Sequence, residues 1–325
     1  MDTVNILFCS AGRRVSLLRH FRKVLEELKL SGRIIAVDAA LDAPASQVAD
    51  EHIQVPRIDD PAYIPALLDI CQKQRVRLLI SLIDTDLVLL SKHRESFEVA
   101  GVKLLLCDMA TNEICADKFM THQFFTDNQI STANVYLDSD AVSEEDFPLL
   151  IKPSKGSAGI GVTRIQDREE LHFFRSHIKQ PIVQELVEGE EFTLDVYVDF
   201  HGAVQCVVPR QRLEVRAGEV SKAVTVKDPQ MMEQVKNVVE ALPHAIGCIT
   251  VQCFRQADGQ LKFIEINPRF GGGFPLSLHA GADFPKWILQ ELCGIDSDAS
   301  MSDWQDDLAM LRYDDEIVVP GNQIK

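Results

Sequence analysis

The run Ile264-Glu265-Ile266-Asn267-Pro268-Arg269, followed by Phe270 and Gly271-Gly272-Gly273, leaves the chain few options. Residues 264–267 alternate as a strand does, so Glu265 and Asn267 leave on the same face. Pro268 has no N–H for a ladder and ends the strand, and the glycine run then lets a ligand approach the backbone closely. A carboxylate, an amide oxygen and a guanidinium so near one another suit a phosphate-bound Mg2+ site. A plain hairpin strand with one solvated Glu and a turn fits the same residues, so the rest of the chain has to decide.

Residues 250–254 and 261–266 are β runs flanking Ala257-Asp258-Gly259-Gln260, a hairpin signal that would set Gln252 beside Glu265 and Asn267 on one face. Further upstream, 147–153 forms a strand carrying Lys152. The stretch Ser154-Lys155-Gly156-Ser157-Ala158-Gly159-Ile160-Gly161 then turns back into 162–165. Backbone N–H groups freed by glycine can cradle phosphate oxygens, although such hairpins also serve purely structural ends. Lys152 weighs toward phosphate, because a lysine inside an apolar strand is costly unless an anion pairs with it. The G-x-x-x-x-G-K-[ST] pattern and its helix are missing, so this is not a Walker loop. A helix starts near Asp117-Lys118. Residues 181–195 read as a strand, a turn at Gly189 and a second strand, with backbone groups that could meet an adenine edge and acids that could meet ribose. Two ordinary strands with exposed acids fit equally.

The first third alternates short apolar strands, at 4–9, 33–37, 76–82 and 102–107, with helix-length segments. That is a doubly wound parallel sheet, whose ligands bind at the carboxyl ends of strands, near Ser10 to Arg14 and Asp84-Thr85-Asp86. Gly12 and Asp38 hint at a dinucleotide site, but one glycine stands where G-x-G-x-x-G needs three. Arg13, Arg14, Asp84 and Asp86 are candidates for a small polar substrate, or solvated loop charges.

A chain of 325 residues with 46% hydrophobic and 25% charged residues is an ordinary α/β protein of two or three units. Its net charge of −16 argues against a nucleic-acid or anionic-membrane surface. The eight cysteines form no C-x-x-C pair. With no signal-type or membrane-spanning run, the expected location is cytoplasmic.

Taken in order, Asp117-Lys118, Ile151-Lys152-Pro153, the glycine loop, the stretch from Gln184 to Glu191, Gln252 and Glu265-Ile266-Asn267-Pro268-Arg269 resemble the ATP-grasp superfamily. The carbamoyl-phosphate synthase large-subunit branch and related carboxylate–amine ligases look nearest, and the likeness spans nearly the whole chain. It implies an ATP-grasp fold, α/β with an α+β C-terminal part: an N-terminal Rossmann-like domain (1–112), a lid (113–187) and a C-terminal antiparallel-sheet subdomain (188–325). By the same resemblance Lys118 and Lys152 contact ATP phosphates, and the loop around Gly156, Ser157 and Gly159 closes over them. The segment holding Gln184 meets adenine through the backbone of Glu185 and Val187, and Glu191 takes the ribose. Gln252, Glu265 and Asn267 hold Mg2+, with Mn2+ as a substitute, and Arg269 stabilises the transferring phosphoryl. Gln252 departs from the commoner carboxylate at its position.

The implied activity is ATP-dependent activation of a small-molecule carboxylate as an acyl phosphate for attack by an amine, with a non-catalytic ATP-binding regulator as the alternative. A complete carbamoyl-phosphate synthase is disfavoured because the motif set occurs once. Neither nucleic acid nor membrane is an expected partner, and a homodimer is the candidate assembly. Arg210 and Arg212, a basic pair in an acidic chain, either face the carboxylate or lie on a solvated edge. His279 is expected in a helical core face, residues 297–307 as a solvated connector and 311–319 as a closing strand.

Overall fold

The computed structural model describes residues 3–138, 142–156, 159–216 and 218–324. Its first sheet contains β1 (Asn5–Cys9), β2 (Ile34–Asp38), β3 (Glu51–Gln54), β4 (Val76–Ser81) and β5 (Lys103–Leu104), all parallel in the order β3-β2-β1-β4-β5. Helices α1 (Val15–Glu27), α2 (Tyr63–Lys73), α3 (Asp84–Lys92) and α4 (Arg94–Val99) connect the strands. The run expected at 102–107 pairs over two residues only, and the half-buried β3 lacks the apolar signal that marks the others.

Two helices, α5 (Met109–Ala116) and α6 (Lys118–Asp127), lead to a four-stranded sheet of β6 (Val135–Tyr136), β7 (Leu149–Pro153), β8 (Thr163–Ile165) and β9 (Pro181–Glu185), ordered β6-β9-β7-β8, with α7 (Arg168–His177). Asp117 caps α6 by accepting from Phe119 N at 2.9 Å. The third sheet is antiparallel. It holds β10 (Glu190–Val198), β11 (Val204–Arg216), β12 (Glu219–Thr225), β13 (Gly247–Arg255), β14 (Leu261–Asn267) and β15 (Ala309–Leu311), ordered β14-β13-β10-β11-β12-β15. Helices α8 (Pro229–Glu240), α9 (Pro275–His279) and α10 (Phe284–Leu292) complete it. The closing strand is only Ala309–Leu311; residues 312–319 are irregular.

One large apolar core joins α1 and one face of the parallel sheet to the antiparallel sheet. Aromatic rings run through it in sequence: Phe8 on Phe21 (5.1 Å), Phe21 on Phe270 (6.1 Å), Phe270 on Phe274 (4.8 Å) and Phe274 on Phe284 (5.1 Å). These edge-to-face and tilted contacts tie β1 and α1 to the end of β14. The middle sheet keeps a small core of its own around Leu149, Ile151 and Leu171.

Within the antiparallel sheet, Asp195 of β10 sits at 0% exposure and holds the equally buried Arg210 of β11, which donates from Nε at 2.8 Å and Nη2 at 3.0 Å. Ser277 Oγ (2.6 Å) and Thr250 Oγ1 (3.4 Å) also donate to this carboxylate, so three elements besides its own converge on it. Removing one partner of a buried ion pair leaves an uncompensated charge. Asp195→Ala is therefore expected to lower unfolding free energy by about 3 to 5 kcal/mol, read as a fall in the urea midpoint.

Candidate active site

The hairpin of β13 and β14 places Gln252 opposite Glu265 and Thr250 opposite Asn267, as the turn chemistry at Asp258-Gly259 predicts. Neither Gln252 nor Glu265 makes a side-chain hydrogen bond among the described residues, so their oxygens remain available in a cavity of about 580 Å3 that Asn267 and Arg269 also line. Arg269 is held rather than free. Its Nη2 donates to Asp84 Oδ2 at 2.7 Å, and its Nη1 donates to the Phe270 carbonyl at 3.2 Å. Burial alone would lower this guanidinium's pKa, but Asp84 and Glu265 more than offset it and the net shift is upward.

Glu265 also borders a smaller cavity of about 70 Å3, whose walls include Lys118, Lys152, Lys155, Gly156 and Gly159. Lys152 is buried at 7% exposure on β7 and has no hydrogen-bond partner among the described residues. Burial pushes its pKa down to about 8, Glu265 pulls the other way, and Lys118 adds to the depression. Lys118 Nζ donates to the Gly156 carbonyl at 2.9 Å, so it closes on the glycine loop itself. Ser157 lies outside the described residues. Lys155, which sequence reasoning left unassigned, stands 3.7 Å from Asp117.

The segment expected at adenine is the end of β9. Gln184 is buried with an unpartnered Oε1, and Glu185 accepts from Lys262 Nζ of β14 at 2.5 Å. The Glu185 backbone N–H donates to Asn134 O at 2.9 Å, which leaves its carbonyl and the Val187 backbone as candidate groups for a ring. Gln184, Glu185 and Val187 line neither cavity.

At the opposite end the structure corrects several expectations. Arg210 does not stand free on a strand edge: Asp195 takes its Nε and Nη2, and only Nη1 is left. Arg212 donates from Nη1 to Glu191 at 2.5 Å, so the acid assigned to ribose already has a partner. Burial raises the Glu191 pKa, Arg212 opposes that and Glu265 reinforces it. Arg13 does not line the cavity of about 580 Å3: its side chain is 69% exposed and borders a separate pocket of about 760 Å3 between α1 and residues 312–319. Its neighbour Arg14 lines the first cavity instead and donates to Glu219 at 3.2 Å. Two adjacent arginines before a helix carry no signal of which one turns inward.

The glycine run also serves a purpose other than ligand approach. A Cβ at Gly273 would lie 2.3 Å from Arg210 Nη1, and one at Gly272 would lie 3.1 Å from Arg14 Nη1. The bare backbone is where the two guanidiniums pack. Asp86 and Asp38 are likewise structural. Asp86 is fully buried and accepts from Ser10, Tyr63 and Ser81, with burial raising its pKa to about 6 against those hydrogen bonds. Asp38 accepts from Gly12 N at 3.1 Å, fixing the loop that carries Arg14 rather than holding a ribose. His279, expected in the core, is exposed.

Five residues that line the cavity of about 580 Å3 each carry a buried side-chain atom without a partner among the described residues: Arg14 Nε, Asp84 Oδ1, Arg210 Nη1, Arg212 Nε and Arg269 Nε. Buried polar atoms are rarely left so, and their convergence marks a site for a polar ligand. Among the described residues no three His, Cys, Asp or Glu side chains could hold a metal. One carboxylate and two amide oxygens fit a Mg2+ ion whose remaining ligands come from phosphates and water.

Residues 6–105 match the family of PylC-like N-terminal domains and residues 115–273 the ATP-grasp domain. The chain is 24% identical over 265 residues to a formate-dependent phosphoribosylglycinamide formyltransferase of Chlorobaculum tepidum, covering 76% of this chain and 66% of that protein. It is also 24% identical over 267 residues to the carbamoyl phosphate synthase large chain of Bifidobacterium animalis subsp. lactis, covering 73% of this chain but 23% of that one. The chain spans less than two thirds of the length of the first curated relatives it matches. Among solved structures, the biotin carboxylase domain of 2-oxoglutarate carboxylase from Hydrogenobacter thermophilus superposes with a TM-score of 0.73 at 17% identity, over 95% of this chain and 74% of that one, which establishes the fold. The chain thus carries an ATP-grasp domain over residues 115–273, preceded by a PylC-like N-terminal domain over residues 6–105.

Proposed function

We propose that this protein is an ATP- and Mg2+-dependent ligase that converts a small carboxylic acid to an acyl phosphate and joins it to an amine. The observation that carries this reading is Glu265, which borders both the lysine- and glycine-lined cavity and the larger arginine-lined one, where nucleotide phosphates and an acid would meet. In the first step a carboxylate oxygen bonds to the γ-phosphorus and the bond to ADP breaks. In the second the amine nitrogen bonds to the acyl carbon, the C–O bond to phosphate breaks with its electron pair leaving on phosphate, and the nitrogen releases a proton to phosphate or solvent.

Lys118 and Lys152 neutralise phosphate oxygens, and the buried Lys152 gains most from doing so. Arg269, fixed by Asp84, faces the transferring group. Gln252, Glu265 and Asn267 would hold Mg2+, which when bound offsets charge on the phosphates. Such a site works by positioning and charge neutralisation rather than by general-base chemistry. Glu185 and Val187 offer backbone groups to adenine, and Glu191 would meet ribose only by sharing itself with Arg212.

A net charge of −16 supports small-molecule substrates over nucleic acid. Eight free cysteines, six of them buried, support the reducing cytoplasm, and no described helix is long and apolar enough to cross a membrane. A homodimer is proposed as the assembly, one solved neighbour being described as a dimer.

Glu265→Ala and Arg269→Ala are each expected to cut acid-dependent ADP release by about a hundredfold or more with unchanged far-ultraviolet circular dichroism; normal turnover in both would refute the site. Phosphate bound at Lys152 stabilises its charged form, so binding takes up a proton above the free pKa of about 8. Nucleotide affinity should be flat below that pH and fall by up to about tenfold per unit above it. Calorimetric titration of ADP across this range checks the slope, and Lys152→Met should lack it.

A further inference from the structure

Glu219 of β12 pairs with three guanidiniums: Arg14 at 3.2 Å, Arg312 at 3.0 Å and Arg13 at 3.6 Å. This corner carries excess positive charge. It presents two buried N–H groups without acceptors among the described residues, Arg14 Nε and Arg210 Nη1; Arg14 Nη1 packs on the bare backbone of Gly272 and Arg210 Nη1 on that of Gly273. Donors of this kind on a positive wall call for a compact anion, and guanidiniums favour carboxylate.

Asp84 differs from this corner. One oxygen is committed to Arg269, and the other, Oδ1, is buried with no donor. A buried carboxylate oxygen needs an N–H or O–H, and a cationic donor suits it best. Because Asp84 grips the arginine assigned to the transferring phosphoryl, a group held on Oδ1 lies beside the place where the acyl phosphate would form. That is where an incoming nucleophile must wait.

We propose that the N-terminal domain selects both substrates: Arg14, together with Arg210 of the ATP-grasp domain, receives the carboxylate of the acid, and Asp84 Oδ1 receives the ammonium of the amine, which sheds a proton to solvent before its nitrogen attacks the acyl carbon. The assignment rests on the ligase reading above. It moves substrate choice from the expected Arg13 to Arg14, and it divides the cavity into an acid-binding wall and an amine-binding wall.

The test starts with the full chain, ATP, Mg2+ and a panel of amino acids, hydroxy acids and dicarboxylic acids, with hydroxylamine trapping any acyl phosphate as a hydroxamate. Primary amines are then screened against the best acid by ADP release. Arg14→Gln should raise the KM of the acid by about tenfold or more and leave that of the amine within about twofold. Asp84→Asn keeps an oxygen for Arg269 but replaces the second oxygen with an NH2 donor. It should raise the KM of the cationic amine by a similar factor relative to that of neutral hydroxylamine, over and above any loss in kcat that the two share through Arg269.

If hydroxamate formation in Asp84→Asn falls in parallel with the amine reaction, Asp84 acts only through Arg269 and the amine assignment fails. If the acid KM is unmoved in Arg14→Gln, the acid assignment fails. Each of these outcomes leaves the ligase reading standing. Should no acid yield hydroxamate or ADP with the wild-type protein, the ligase reading fails and this inference falls with it.

Discussion

The buried pair of Arg210 and Asp195 is the interaction on which the C-terminal half of the site depends. Two charges are taken wholly out of water in the middle of an antiparallel sheet, which is tolerable only because the carboxylate collects four donors and the guanidinium meets it with two nitrogens. Much of the local sequence follows from that. Thr250 on β13 and Ser277 on α9 supply hydroxyls at the right depth. Gly273 has no Cβ, because the third guanidinium nitrogen occupies that space. The strand that ends at Asn267 therefore cannot run on into an ordinary turn; it has to pass over an arginine.

Charge along the cavity is graded. At one end the Lys152 side chain is desolvated, carries a depressed pKa and has no hydrogen-bond partner among the described residues, an unstable arrangement unless an anion arrives. At the other, guanidiniums outnumber carboxylates around Glu219. Between them Glu265 stands near Lys152 and Arg269 and holds up the charge of both. In a chain with a large negative net charge, this line of buried cations concentrates a local field that the overall composition hides.

The convergence of Gln252, Glu265 and Asn267 on one cavity was legible in the sequence because its signals are local: a period of two, a proline, and a hairpin turn that fixes register. The parallel sheet was legible for a similar reason, its strands being short apolar runs bounded by helices. Residues whose role depends on contacts far along the chain were not legible. Nothing near Arg210 announces Asp195 as its partner, and nothing near Glu191 announces Arg212. Arg13 and Arg14 differ only in which way the loop turns, and that is decided by Asp38 on Gly12 and Asp86 on Ser10, both distant in sequence. The half-buried β3 and the short closing strand carry weak patterns because they pair at sheet edges, where burial does not enforce alternation.

The position of the parallel-sheet domain explains why a site built mostly from the antiparallel sheet needs it. The aromatic series from Phe8 through Phe21 to Phe270 and Phe274 fixes β1 and α1 against the chain just after β14. His20 meets Asp283 at 2.9 Å on the same side of the interface. With that packing rigid, the loop after β1 and the start of α3 become a fixed wall of the cavity, and Arg14 and Asp84 stand on it. The middle sheet has its own small core and carries Lys152, Lys155 and Gly156, while Lys118 starts α6, whose Phe124 and Phe125 belong to the main core. The residues proposed to recognise and orient substrates are thus on the part tied into the main core, and the proposed phosphate cradle bridges that part and the middle sheet.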